Sequence, residues 1–195
     1  PAPLPLGVLA WPTAFDTPLE EATYFSSPPF RIPFTLVVGE PGWGTGHLHA
    51  DFFDLLRFDG VAHEQLPNRM LAFADSDYVI GVHGNVGVAT LTPRAALDLL
   101  AERPDLTVST REQVELFGLA GERLNVHSAT GSNHVFGGAG GDLGIGPELD
   151  TRLAFLPLNG RLLGVLVMAE ADDLQAAWDQ ALRILDTVDL VTADH

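Results

Sequence analysis

The sequence predicts an α+β fold, a largely antiparallel twisted β-sheet packed against two main helices, preceded by an extended N-terminal arm. Three observations carry that expectation. Hydrophobic alternation bounded by Gly, Pro and Asn marks about seven or eight short strands. Two segments have helical periodicity with capping residues at their ends. Most links between neighbouring strand candidates are too short to hold a crossover helix, so hairpins join them.

Residues 1–30 hold seven of the fourteen prolines and read as the arm, with ATYFSS (22–27) as a short edge strand. Residues 31–195 read as one domain, with IPFTLVV (32–38) as its first strand and GEPGWGTG as the turn that ends it. HLHADFFDLLRF (47–58) follows as a strand, then MLAFA and YVIGVHG as two more. In TLTPRAALDLLAERPD, Thr92 can cap a helix that has Pro93 at its first position, Leu97 and Leu100 on one face and Pro104 beyond its end. LTVSTREQVELFG and ERLNVHSA form a hairpin around GLAG (118–121), and glycine-rich residues 129–150 form a long irregular loop. RLAFLPLNGRLLGVLVMA is a hairpin turning on Asn159-Gly160, and its second arm is apolar enough to lie centrally, covered on both faces. ADDLQAAWDQALRILDTV is an amphipathic helix capped by Asp172 or Asp173, with VDLV returning as a last strand. Both helices are expected on one side of the sheet.

A chain of 195 residues with 46% apolar and 18% charged residues can bury a core without staples. It contains no Cys, which removes disulfides, thiolate nucleophiles and Cys-based zinc sites together. Ten basic residues, every one an Arg, face 26 acids, for a net charge of −16. That balance gives no electrostatic reason to approach nucleic acid or an anionic membrane surface. No apolar run approaches the roughly 20 residues that span a bilayer. The Pro- and Ala-rich start without Met reads as a processed, exported form, secreted or attached to a bacterial cell envelope. An artificial boundary explains the same feature, with a cytoplasmic location as the alternative.

The order of parts resembles the PsbP-like fold, including the LpqN-type lipoproteins of actinobacteria. The residues that carry the likeness are FRIPFTLVVGEPGW (30–43), TPRAALDLLAERPDLTVS, the hairpin EQVELFGLAGERLNV and DDLQAAWDQALRILDTVDL at the end. The resemblance spans about residues 30–191. It implies a binding or scaffolding role in an exported or membrane-attached protein, and it brings no shared catalytic residues. The histidine row and the Gly-rich stretch 131–146 depart from that pattern.

The stretch GTGHLHADFFD raises the chemical question. His47, His49 and Asp51 alternate, so an extended backbone would place them on one face. With His134 as a distal ligand they form the candidate divalent transition-metal site of a metal-dependent enzyme or carrier. Three versions compete. His47-X-His49 with Asp54 and Gly60 looks like half of a cupin motif, His49-X-Asp51 suits an iron site completed by His127 or His134, and a simple strand-borne site could close with His63 or His83. The alternation also fits a half-buried strand with Leu48, Phe52 and Leu56 inward, and that reading is preferred.

GGAGGDLGIG lacks the strand-to-helix context of a phosphate cradle, and the chain has no Walker lysine. Ser128, Ser132 and Ser76 lie near histidines or acids without a nucleophile elbow. ADSDY (74–78) sets two acids at strand spacing without a calcium-loop signature, so a capped turn is expected. Trp11, Trp43 and Trp178 are expected in the core. The resulting expectation is a non-enzymatic, acidic domain that binds a small ligand or a protein partner, with no cofactor. A homodimer through the arm or a sheet edge is the structural alternative.

Overall fold

The computed structural model describes residues 4–26, 29–57, 69–138 and 141–191. The strands in the first third are β1 (Val8–Ala10), β2 (Ala22–Phe25), β3 (Phe34–Val38), β4 (Trp43–Leu48) and β5 (Phe52–Arg57). Next come β6 (Arg69–Asp75), β7 (Tyr78–Gly81) and β8 (Gly84–Gly87), then helix α1 (Pro93–Ala101). The chain continues through β9 (Leu106–Val108), β10 (Glu112–Leu116), β11 (Leu119–Ser128), β12 (Asn133–Gly138) and β13 (Gly141–Ile145). It closes with β14 (Asp150–Leu158), β15 (Arg161–Ala169), α2 (Leu174–Leu185) and β16 (Asp189–Leu190).

These elements make three sheets. The central one has eight strands, in the order β10-β11-β14-β15-β6-β5-β4 with β9 beside β11, and all its pairs are antiparallel. One face of it packs against α2 and a four-stranded sheet, β1-β2-β3-β16. The other face packs against α1 and a second four-stranded sheet, β13-β12-β7-β8. The α+β class and the antiparallel pairing agree with the sequence. The helices lie on opposite faces of the central sheet, not on one side.

The reason is written along β14 and β15. Ala154, Leu156, Leu163, Val165 and Val167 enter the core with Trp178 and Ile184 of α2. Leu153, Phe155, Leu162 and Leu166 enter the core with Leu97 and Leu100 of α1. A strand apolar on both faces is stable only where both faces are covered. Asn159 (φ 51°) and Gly160 (φ 76°) form the two-residue turn between these strands, as the Asn-Gly pair requires.

Local signals decide much of the rest. The Thr92 hydroxyl accepts from the Ala95 N–H at 3.2 Å, with Pro93 opening α1. Neither Asp172 nor Asp173 caps α2 with its side chain; the Asp173 carboxylate instead accepts from Arg69 Nε at 2.8 Å. The hairpin of β10 and β11 turns on Phe117 and Gly118, both at positive φ, rather than on residues 118–121. Trp43 starts a strand instead of sitting in a turn. Residues 14–19 run along the outer edge of that strand, with Asp16 N–H to Thr45 O at 2.8 Å and Leu19 N–H to Trp43 O at 2.9 Å. The proline-rich segment thereby covers an edge of the central sheet that would otherwise be open to pairing. Trp11, Leu19 and Tyr24 are buried in the core on that side.

The largest departure is at residues 129–150, where β12 and β13 form a hairpin instead of an irregular loop. Glycine is placed there by crowding: a Cβ at Gly138 would run into the Asp51 carboxylate, and one at Gly137 would lie 2.9 Å from the Tyr78 hydroxyl. Glycine within a strand where another chain segment approaches closely is an expected use of the residue.

Arg103, 9% exposed, ties α1 to this hairpin. It grips Asp105 through Nε at 3.0 Å and Nη2 at 2.5 Å, while Nη1 donates to the carbonyls of Ile80 and His134. Arg103→Ala should lower the unfolding free energy by about 2 kcal/mol in urea denaturation, because two part-buried carbonyls lose a charged donor. Arg103 also holds the Asp105 carboxyl below the usual carboxylate range. The stability that this pair contributes is present above about pH 4 and is lost as pH falls through the lowered value, so the variant should lose that part of the acid limb.

Candidate functional site

His47 lies one residue before the end of β4, His49 sits in the turn and Asp51 immediately precedes β5, so the row is a hairpin and not one continuous strand. The pairing slips between Thr45 and Leu48, and the His49 N–H closes the turn on the Phe52 carbonyl at 2.7 Å. The His47 and His49 rings stack with centroids 6.1 Å apart, and Phe15 lies 5.1 Å from His47 on the other side. Of the three expected inward residues, Leu56 is buried and Leu48 and Phe52 are half-buried.

The bulge exists to admit Asp54. Its carboxylate is 1% exposed, accepts from the His47 N–H, and lies 3.3 Å from His47 Nδ1. A side chain at Gly46 would collide with it. Burial pushes the Asp54 carboxyl up despite His47, and hydrogen bonding to Asp54 pushes the His47 imidazole up.

A charged knot lies behind the turn. The chain leaves the central sheet at Asp75 and enters the neighbouring sheet at Tyr78, crossing through Ser76 and Asp77. The Asp75 N–H donates to the Asp51 carbonyl at 2.9 Å and the Arg31 N–H to the Ala50 carbonyl at 2.8 Å, so three segments meet here. Arg31 grips Asp77 with two bonds, at 2.9 and 3.2 Å, and Arg161 bridges Asp75 at 2.6 Å and Asp77 at 3.1 Å. Arg31 also lies 3.7 Å from Asp75 and 4.0 Å from Asp51. The two guanidiniums hold the Asp77 carboxyl below its ordinary range.

Two clefts flank this knot. The first, about 230 Å³, is lined by His47, His49, Asp51, Ser76, Phe136 and Asp142. The second, about 370 Å³, is lined by Arg31, Arg161, Asp75, Ile32, Leu158 and Val191.

Of the candidate metal ligands, the structure brings His47, His49 and Asp51 to one cleft and leaves His134 outside it. His134 projects from β12 with Nδ1 3.4 Å from Asp142 Oδ2, and its side chain is exposed. His127 pairs with Asp150 at 2.7 Å, His83 lies in the turn between β7 and β8, and His63 lies outside the described residues. Among the described residues no three His, Asp or Glu side chains assemble at metal-binding geometry. Ser128 is a turn residue, its hydroxyl donating to the Gly131 carbonyl at 2.7 Å, and Ser132 is exposed. The three tryptophans are buried. Asp142, Arg31 and Arg161 went unnoticed in the sequence; the crowded glycines beside Asp142 were the one signal that could have found part of the site.

No protein-family model matches the chain, and no curated protein matches it. Solved structures to which it is similar include both groups named by the sequence resemblance. Cyanobacterial PsbP from Synechocystis is 12% identical, covering 80% of this chain and 86% of that one, with a TM-score of 0.41. LpqN of Mycobacterium tuberculosis, involved in cell envelope biogenesis, is 13% identical over 91% of each chain, at a TM-score of 0.35. The Ran-binding protein Mog1p of Saccharomyces cerevisiae is 12% identical over 81% of this chain and 90% of that one, at 0.44. No helix among the described residues is long and apolar enough to cross a membrane.

Two measurements check the His47–Asp54 geometry. The His47 imidazole should titrate above its ordinary value of about 6.5 by NMR, and Asp54→Asn should bring it down. Its stabilising contribution is full below about pH 6.5 and is lost as pH rises through the raised value. Gly46→Ala should destabilise the protein by about 2 kcal/mol, the usual cost of forcing a methyl into filled space.

Proposed function

We propose that this protein is a non-enzymatic binding domain that takes a small ligand in the cleft between the β4–β5 turn and the β12–β13 hairpin. One observation carries the reading: side chains from three separated segments line a single hollow. His47, His49 and Asp51 come from the turn, Ser76 from the crossing between sheets, and Phe136 and Asp142 from the hairpin. A concave site with a few convergent polar groups on an apolar floor is the usual form of a small-molecule site. Binding rather than turnover is supported by the commitments of the cleft's polar groups. His47 is turned to Asp54, and among the described residues Ser76 has no histidine within hydrogen-bond reach to activate it. The exported, cell-envelope address belongs to this reading and is supported by the sequence resemblance.

A small-fragment library screened by amide NMR should shift Asp51, Ser76, Gly137 and Asp142 in a saturable way. Hits that ignore this cleft would remove the site. Turnover of a defined substrate, lost in Ser76→Ala, would remove the non-enzymatic assignment. Fractionation of the producing cells should place the protein in the envelope or the medium, and a purely cytosolic distribution would refute that address.

A further inference from the structure

We infer that the cleft selects a small organic cation, an amine or guanidinium carried on a flat apolar body. The inference rests on the reading that this cleft binds a small ligand.

Charge excludes the alternatives first. No Arg lines the cleft, while Asp51 and Asp142 do. The knot behind it sets Asp51, Asp75 and Asp77 against Arg31 and Arg161, an excess of one carboxylate, and Asp142 on the opposite rim adds a second. His47 does not reverse that balance, because its partner Asp54 is buried against it. The whole chain, at −16, draws cations towards it. The Asp51 and Asp142 carboxylates repel an anion from this wall.

Ser76 supplies an independent observation. It is 3% exposed, it lines the cleft, and no described residue exchanges a hydrogen bond with its hydroxyl. The oxygen itself is not sealed from solvent, so it opens into the cleft, where a ligand N–H can reach it. The hydroxyl therefore marks where a hydrogen-bonding head belongs, beside Asp51.

The remaining walls favour an organic body over a bare metal ion. Phe52, Phe136 and Leu143 line the cleft together with the parallel rings of His47 and His49. These surfaces offer apolar area, and aromatic faces attract a cation electrostatically. The volume of about 230 Å³ corresponds to roughly eight waters, which suits a molecule the size of an arylalkylamine. The second cleft has the opposite character, since Arg31 and Arg161 line it.

Three probes of one shape and different charge test the inference: phenethylamine, 2-phenylethanol and phenylacetate, each titrated into the 15N-labelled protein at neutral pH. Phenethylamine should shift the Ser76, Gly137 and Asp142 amides saturably, with phenylacetate inert. Ser76→Ala should weaken the amine by about threefold to tenfold, the loss of one hydrogen bond. Asp142→Asn, on an exposed side chain that can still accept from Tyr78, should weaken it several-fold without loss of fold. If 2-phenylethanol or phenylacetate binds the cleft as well as the amine does, the cationic class is wrong and the small-ligand reading stands. Amine binding that is indifferent to both substitutions also overturns the inference. If none of the three shifts the cleft, the inference and the small-ligand reading fall together.

Discussion

Strands β14 and β15 place apolar side chains on both faces of the central sheet, and the architecture follows from covering both. Leu153, Phe155, Leu162 and Leu166 on one face need a cover as much as Ala154, Val165 and Val167 do on the other. Two helices of twelve and nine residues are too few to cover an eight-stranded sheet twice. The chain completes each cover with short strands: β2, β3 and β16 beside α2, and β7, β8, β12 and β13 beside α1. The abundance of very short strands is thus a consequence of a doubly apolar centre.

A chain that builds layers this way must cross between them, and crossings bring polar groups inside. Residues 75–78 make one such crossing, and Asp75 is 1% exposed as a result. Isolated, that carboxylate would be costly; with Arg161 at 2.6 Å and Arg31 at 3.7 Å it is tolerable. The same crossing leaves Ser76 buried and opens a hollow at the junction of the layers. The candidate site therefore occupies the place where the architecture is least able to close on itself.

What could be read in the sequence is what local chemistry decides. Thr92 and Pro93 open α1, Asn159-Gly160 turns the central hairpin, and the unbroken apolar run of β15 announces its position. The extended backbone expected through residues 47–51 gives way to a turn for a definable reason. Alternation at 47, 49 and 51 is a property of numbering, and the slip between Thr45 and Leu48 that admits Asp54 breaks the extended backbone beneath it. The β12–β13 hairpin is hidden because Gly137 and Gly138 answer to Tyr78 and Asp51, which are remote in sequence. Arg31 and Arg161 stand 130 positions apart and meet only through Asp75 and Asp77, so no window of sequence contains the knot.

The two clefts beside that knot differ because its charges are shared unequally. In the second cleft an anion would have to compete with carboxylates already set against both guanidiniums, including the two-bond grip of Arg31 on Asp77. Charge-assisted pairs of this geometry are among the stronger hydrogen bonds in proteins, so displacing one is costly. On the opposite side, a cation approaching Ser76 meets a hydroxyl that no described residue engages and a carboxylate on each rim. It gains hydrogen bonds there without breaking the Arg31–Asp77 pair. Selectivity between the clefts thus follows from what each ligand would have to displace, and it favours the smaller, acidic cleft over the larger one that holds the arginines.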